Sequence, residues 1–171
     1  MRPIDYQEFQ NRVRASRRAW HLELRDSYHV EEEGSPIQKW RNGEPDDFEW
    51  LAEWLSFVAD VTRSGVRIER LRIKTVPHSE YAEWNLSASR RTSEAGEEIR
   101  YLPRHLASDL ELLEDDCWLP DDSVLILSLF QPDGRTAGFA ISDDADLLAR
   151  YRDIRDRTWS RGTPIAEYAR W

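Results

Sequence analysis

DFEWLAEWLSFVADVTR (residues 47–63), the Ser64-Gly65 pair and VRIERLRIKTV (66–76) decide how this chain folds. In the first stretch Trp50, Leu51, Trp54, Leu55, Val58 and Val61 recur at helical spacing on one side, and Asp46 or Asp47 places a carboxylate at the helix's positive end. Gly65 supplies a left-handed stop. In the second stretch Val66 and Ile68 share one face while Leu71 and Ile73 share the other. Either a bulge sits near Glu69-Arg70, or the strand is covered on both sides; the preceding helix and the segment that follows favour the second. The spacing predicts helix, tight turn and central strand.

Upstream, residues 1–44 read as a lead-in. Asp5 caps a short helix with Tyr6, Phe9 and Val13 inward. Ala19 to Arg25 alternates as a half-buried strand, Trp20, Leu22 and Leu24 on one face and His21 and Glu23 on the other. Glu31 to Glu33 reads as a solvated loop, and Ser35-Pro36 opens a short helix that Asn42-Gly43 closes.

Downstream, Ser79 to Leu86 fits either helix or strand, and Ser87 to Ala95 fits helix. Ile99 to Leu102 reads as a short strand and Arg104 to Asp116 as a loop. Cys117 to Leu119, a Pro120-Asp121-Asp122 turn, Val124 to Phe130, a Pro132-Asp133-Gly134 turn and Thr136 to Ile141 make an antiparallel meander. Asp143 or Asp144 caps a closing helix with Leu147, Leu148, Tyr151, Ile154 and Trp159 inward. Gly162 to Pro164 breaks it before a last turn ending at Trp171. The expectation is a single α/β domain over 1–171, with the main unit at 45–171. Its mixed sheet has five or six strands, the 66–75 strand central, and helices 47–63 and 144–159 packed against it.

The chain has 171 residues, 40% apolar and 11% aromatic, enough for one core. Eight tryptophans should dominate that core and any binding face. The net charge of -9 argues against direct binding to nucleic acid or an anionic membrane, and suits a partner with a basic face. Charge is laid down in blocks: residues 61–104 carry 9 basic against 6 acidic side chains, and residues 105–146 carry 1 against 11. Neither a leader pattern nor a long apolar span is present, and the single Cys117, beside Trp118, reads as a core residue. The cytoplasm is the expected compartment.

No pattern of a nucleophile elbow, a phosphate-cradling glycine loop or a dinucleotide fingerprint occurs. The four histidines have no metal-ligand spacing, so no metal and no cofactor is expected. Asp121-Asp122 reads as a turn former rather than a catalytic pair. Arg67, Arg70, Arg72 and Lys74 form the set with most to explain. On a covered strand at least one of them must be paired, most cheaply with Glu69, Glu98 or Asp122, and the set reads as an ion-pair network or as an anion pocket at the strand's C-terminal end. The second reading predicts that Arg72, His78, Tyr81, Arg100 and Arg104 converge on one small positive recess, with Trp84 as an apolar wall.

Trp20-His21-Leu22-Glu23 with Asp26 and Tyr28, Gly65-Val66-Arg67-Ile68 with Arg70 and Arg72, Tyr81, Gly96 to Arg100 with Leu102-Pro103, Trp118, Asp121-Asp122, Gly134, Gly138 and Trp159 together resemble an actinobacterial family catalogued as a domain of unknown function. Members are encoded near helix-turn-helix regulators and short companion proteins. The resemblance implies a regulatory or partner role; joined to the anion pocket read from the basic strand, it gives the expectation of a non-enzymatic regulatory or ligand-sensing protein acting through such a regulator, a neighbouring gene product or a small anionic ligand. The second half also resembles one lobe of a phospholipase D-like fold, and the alternative function is a phosphodiesterase or nuclease-like enzyme with an unrecognised active site. That superfamily's signature needs Lys two residues after His, and here those positions are Glu23, Glu31, Glu80 and Ala107. No catalytic residue is expected on that basis.

Overall fold

The computed structural model describes residues 1–168. In chain order they form β1 (Arg2–Ile4), α1 (Tyr6–Arg14), β2 (Arg18–Glu23), α2 (Gly34–Arg41), α3 (Ala52–Arg63), β3 (Arg67–Lys74), α4 (Glu80–Glu94), β4 (Glu98–Pro103), β5 (Asp116–Pro120), β6 (Leu125–Phe130), β7 (Thr136–Ser142), α5 (Ala145–Thr158), β8 (Thr163–Pro164) and α6 (Ile165–Tyr168). The expected closing turn runs on to Trp171, outside the described residues. No described helix is long and apolar enough to cross a membrane.

One mixed sheet of eight strands runs in the order β1-β7-β6-β5-β2-β3-β4-β8. Strands β2, β3 and β4 are parallel, joined through α3 and α4, and every other pairing is antiparallel, including the β6-β7 hairpin. Six of these strands match the expected ones. The two additional strands, β1 and β8, are three and two residues long and each contains a proline. They are too short to show alternation and exist only because β7 and β4 offer them an edge.

Strand β3 lies inside the sheet, and its register is continuous with β2 and with β4, so no bulge interrupts it. The switch in its pattern comes from two covered faces. One face packs Leu71 and Ile73 with Trp20, Leu22, Leu24, Cys117, Leu119, Leu125 and Leu127 under Tyr151 and Ile154 of α5. The other starts apolar, with Ala19, Ile68, Trp118 and Ile126 under Phe9, Val13, Phe57, Val58 and Val61 of α1 and α3. Towards the strands' C-terminal ends that face turns charged, through His21 and Glu23 on β2 and Arg70, Arg72 and Lys74 on β3. Strand β2 is therefore buried on both faces, not half-buried.

Local chemistry explains the boundaries. Asp5 caps α1 by accepting from the Glu8 amide at 2.7 Å, and Asp144 caps α5 through the Asp146 and Leu147 amides. Ser79 accepts from the Ala82 amide at 3.1 Å, which commits the ambiguous 79–86 stretch to a single helix, α4. Before α3, a 3-10 turn occupies Glu49–Leu51, where Asp46 accepts from the Phe48 amide and from the Trp50 indole. Asp121 and Asp122 both adopt left-handed backbone, at φ 48° and 56°, in the β5-β6 turn. There Asp121 Oδ1 accepts the amides of Arg17 and Arg18, confirming a structural role.

Candidate functional site

A cavity of about 450 Å3 opens above the charged end of the sheet. Its floor is His21, Glu23, Arg70, Arg72, Asp116 and Trp118, set side by side by the register that pairs His21 with Arg70 and with Trp118, and Glu23 with Arg72. Its walls are aromatic: Tyr6 and Phe9 from α1, Trp50 and Trp54 around the start of α3, Tyr81 from α4, and Phe130 and Phe139 from β6 and β7. This is the C-terminal end of the parallel strands, where open α/β sheets place their ligands. A cavity of this size, mostly apolar with a few convergent polar groups, has the usual form of a small-molecule site.

Glu23 is the hub of the floor. Its carboxylate stands 2.5 Å from Arg70, 3.0 Å from Arg72, 3.9 Å from Lys74 and 3.9 Å from His21 Nδ1. Burial alone would raise its pKa, but Arg72, Arg70 and Lys74 pull it well below the usual carboxylate range. Arg70 is gripped from its other side by Glu97 at 2.7 Å. Arg72 donates to Asn85 Oδ1, and Lys74 donates to the Arg25 carbonyl. Burial lowers Lys74 to about 8, with Glu23 the main counterweight. Burial, with Arg70 adjacent, holds His21 well below its ordinary value, so it is neutral, and its ring stacks on Trp118 at 4.0 Å.

Two further carboxyls line the cavity, Asp116 on its floor and Glu33 at its side. Asp116 accepts from the Leu24 amide and the Tyr28 hydroxyl, and burial raises it to about 6. Glu33, placed in the sequence reading on a solvated loop, instead accepts from the Tyr81 hydroxyl at 2.7 Å, and burial raises it to about 7. Among the described residues, the cavity-lining atoms Arg72 Nε and His21 Nδ1 are buried with no hydrogen-bond partner, and Glu23 Oε2 is buried with only its ion pair to Arg72 Nη1 at 3.0 Å. Native proteins leave few such atoms unsatisfied, and each marks a place where strain or function is stored. Among the described residues no group of three His, Cys, Asp or Glu is placed to hold a metal ion.

Of the residues expected to converge, the structure brings together Arg72 and Tyr81. Trp84 sits behind them, fully buried and stacked on Trp50, which forms the wall in its place. Arg100 lies across the sheet: it pairs in register with Leu71 rather than Arg72, so alternation sends it to the opposite face, over the Trp159 ring. Arg104 follows β4 and donates to the Leu24 and Ile73 carbonyls, lining a separate groove with Thr75, Val76 and Leu110. His78 donates from Nδ1 to the Thr75 carbonyl and accepts at Nε2 from Tyr168. Of the partners expected for the basic strand, Glu69 holds for Arg67, while Glu98 and Asp122 are corrected. Glu69 serves Arg18 and Arg67, Glu98 serves Arg100 and Asp122 serves Arg155, while Glu23 and Glu97 hold Arg70 and Arg72. The signal for Glu23 lay in β2's alternation, which sets His21 and Glu23 opposite three apolar neighbours.

Residues 7–170 match the family described as a domain of unknown function, DUF6879. No curated protein matches the chain.

Proposed function

The chain belongs to that family, and we propose from its cavity that it is a non-enzymatic ligand-sensing protein that reports occupancy to a protein partner. A small molecule would lay its apolar body among Phe9, Trp54, Trp118 and Phe139 and turn its polar head to Arg72. The observation that carries this reading is an aromatic-walled cavity whose floor holds unsatisfied buried polar atoms, since a ligand that satisfies them relieves a cost of roughly 1–3 kcal/mol each. Sensing would run through residues 28–33, tied to the cavity by Tyr28-Asp116 and Glu33-Tyr81 and to the β6-β7 turn by the His29 amide on the Gly134 carbonyl. A ligand that competes for Tyr81 or Asp116 would release that segment and the adjoining α2. The partner class that fits is a helix-turn-helix regulator or a neighbouring gene product with a basic face, complementary to the chain's net charge of -9.

Labelling with 5-fluorotryptophan and screening a fragment library by 19F NMR tests the reading. Hits should move the Trp50, Trp54 and Trp118 resonances and leave Trp159, across the sheet, in place. A library without hits, or hits that move Trp159 alone, would refute it.

A second reading, the phosphodiesterase or nuclease-like enzyme, draws support from Asp116 and Glu33. Both carboxyls are raised towards neutrality by burial in one cavity that also contains Arg70 and Arg72, the setting of a general acid or base. Turnover of bis-p-nitrophenyl phosphate that disappears in Asp116→Asn would put this reading first.

A further inference from the structure

Resting on the ligand-sensing reading, we infer that the ligand's head group is dipolar rather than a bare anion, offering an acceptor to Arg72 beside a donor to Glu23, on an aromatic body. The spare capacity of the floor is of both signs. Arg72 Nε is a donor without a partner, and Glu23 Oε2 is an acceptor with a lone pair to spare beyond its ion pair with Arg72, on side chains that are each 7% exposed. They are neighbours, since Arg72 Nη1 stands 3.0 Å from Glu23 Oε2. Arg70 is held by Glu23 and Glu97, Lys74 by the Arg25 carbonyl and Arg72 by Glu23 and Asn85, and of these three cations Arg72 keeps a buried donor, Nε, without a hydrogen-bond partner to offer a ligand.

A lone anion would draw Arg72 away from Glu23, leaving that buried carboxylate to Arg70 and Lys74 and setting a second negative charge beside it on the floor it shares with Asp116. A lone cation would meet Arg70, Arg72 and Lys74. A zwitterion, or a planar amide edge, satisfies both vacant positions without separating the pair. The walls specify the body. His21 lies within 13° of parallel on Trp118, and Phe9 within 4° of parallel on Phe139 at 4.4 Å. Flat plates of this kind favour a flat ring through offset stacking.

Isothermal titration of the intact chain with four probes that share one ring separates the cases: tryptophan (zwitterion), indole-3-acetamide (neutral amide), indole-3-acetate (anion) and tryptamine (cation). At least one of the first two should bind tenfold or more tighter than both of the last two, and which of them leads distinguishes a zwitterionic from an amide head. Equal or tighter binding of indole-3-acetate would overturn the inference, as would silence from all four. Should all four fail while other fragments still move the Trp118 resonance, the head-group inference falls and the cavity reading stands. Glu23→Gln should erase the preference for a dipolar head; if that variant does not fold, the ranking on the parent chain decides alone.

Discussion

Replacing Glu23 with alanine should unfold the floor of the cavity from its centre. The carboxylate is buried and touches Arg70, Arg72 and Lys74, at 2.5, 3.0 and 3.9 Å. Arg70 keeps Glu97, so the cost falls on Arg72 and Lys74. Arginine cannot give up its proton, so Arg72 is left as a buried cation with Asn85 as its remaining polar contact among those described. Removing one member of a buried pair costs about 3–5 kcal/mol, a large part of a typical stability of roughly 5–15 kcal/mol. At about 2–4 °C per kcal/mol for a chain of this size, that is a drop in Tm of roughly 6–20 °C.

The loss should also depend on pH. Lys74, held at about 8 by burial against Glu23, is charged at pH 6 and largely neutral at pH 9 in the parent. Without Glu23 its value falls further, so the variant's folded state sheds that proton at lower pH. Stability then rises more steeply with pH in the variant than in the parent, and the deficit shrinks from pH 6 to pH 9. Urea denaturation followed by circular dichroism at both pH values measures this. A deficit below about 1 kcal/mol at pH 6 would refute the claim that Glu23 is the hub, on the magnitude expected of a buried partner.

Other perturbations follow from single contacts. Glu33, raised by burial from 4.5 to about 7, favours the fold when protonated, so its contribution is present below about 4.5 and is lost as pH rises through 7. Glu33→Gln should flatten that part of the stability-pH profile and exceed the parent by about 1–3 kcal/mol at pH 8, read by the same denaturation. Gly96 has φ +120°, and a Cβ there would stand 2.6 Å from Thr62 Oγ1; Gly96→Ala should therefore cost about 1–3 kcal/mol, read as a lower Tm. Asp121→Ala removes the acceptor of the Arg17 and Arg18 amides and should cost about 1–3 kcal/mol, with faster amide exchange at those two positions in NMR.

The helix, turn and strand within 47–76 were legible because their signals are local: apolar spacing and Gly65, whose φ is +100°; the acidic start was misplaced, since Asp46 and Asp47 hold the turn before Glu49–Leu51 and α3 begins at Ala52. The covered character of β3 was legible too, in the switch of its apolar side. The site was not legible from spacing alone, because it is a product of register. Arg72 and Glu23 are 49 residues apart and meet only because β2 and β3 run parallel with those two residues paired. Arg100 looked equivalent to Arg72 by composition, yet one position of register sends it through the sheet, while Tyr101 takes the place beside Arg72. Trp54, Trp118 and Phe139 come from three distant elements, and only packing reveals that they enclose one space.

The central claim, that a small molecule lodges between the aromatic walls and the charged floor, is tested most directly by intermolecular NOEs from a bound fragment. Contacts are expected to the rings of Phe139 and Trp118 and to the Ala88 methyl, all of which line the cavity. NOEs confined to Val76 and Leu110, in the groove beside Arg104, would contradict it.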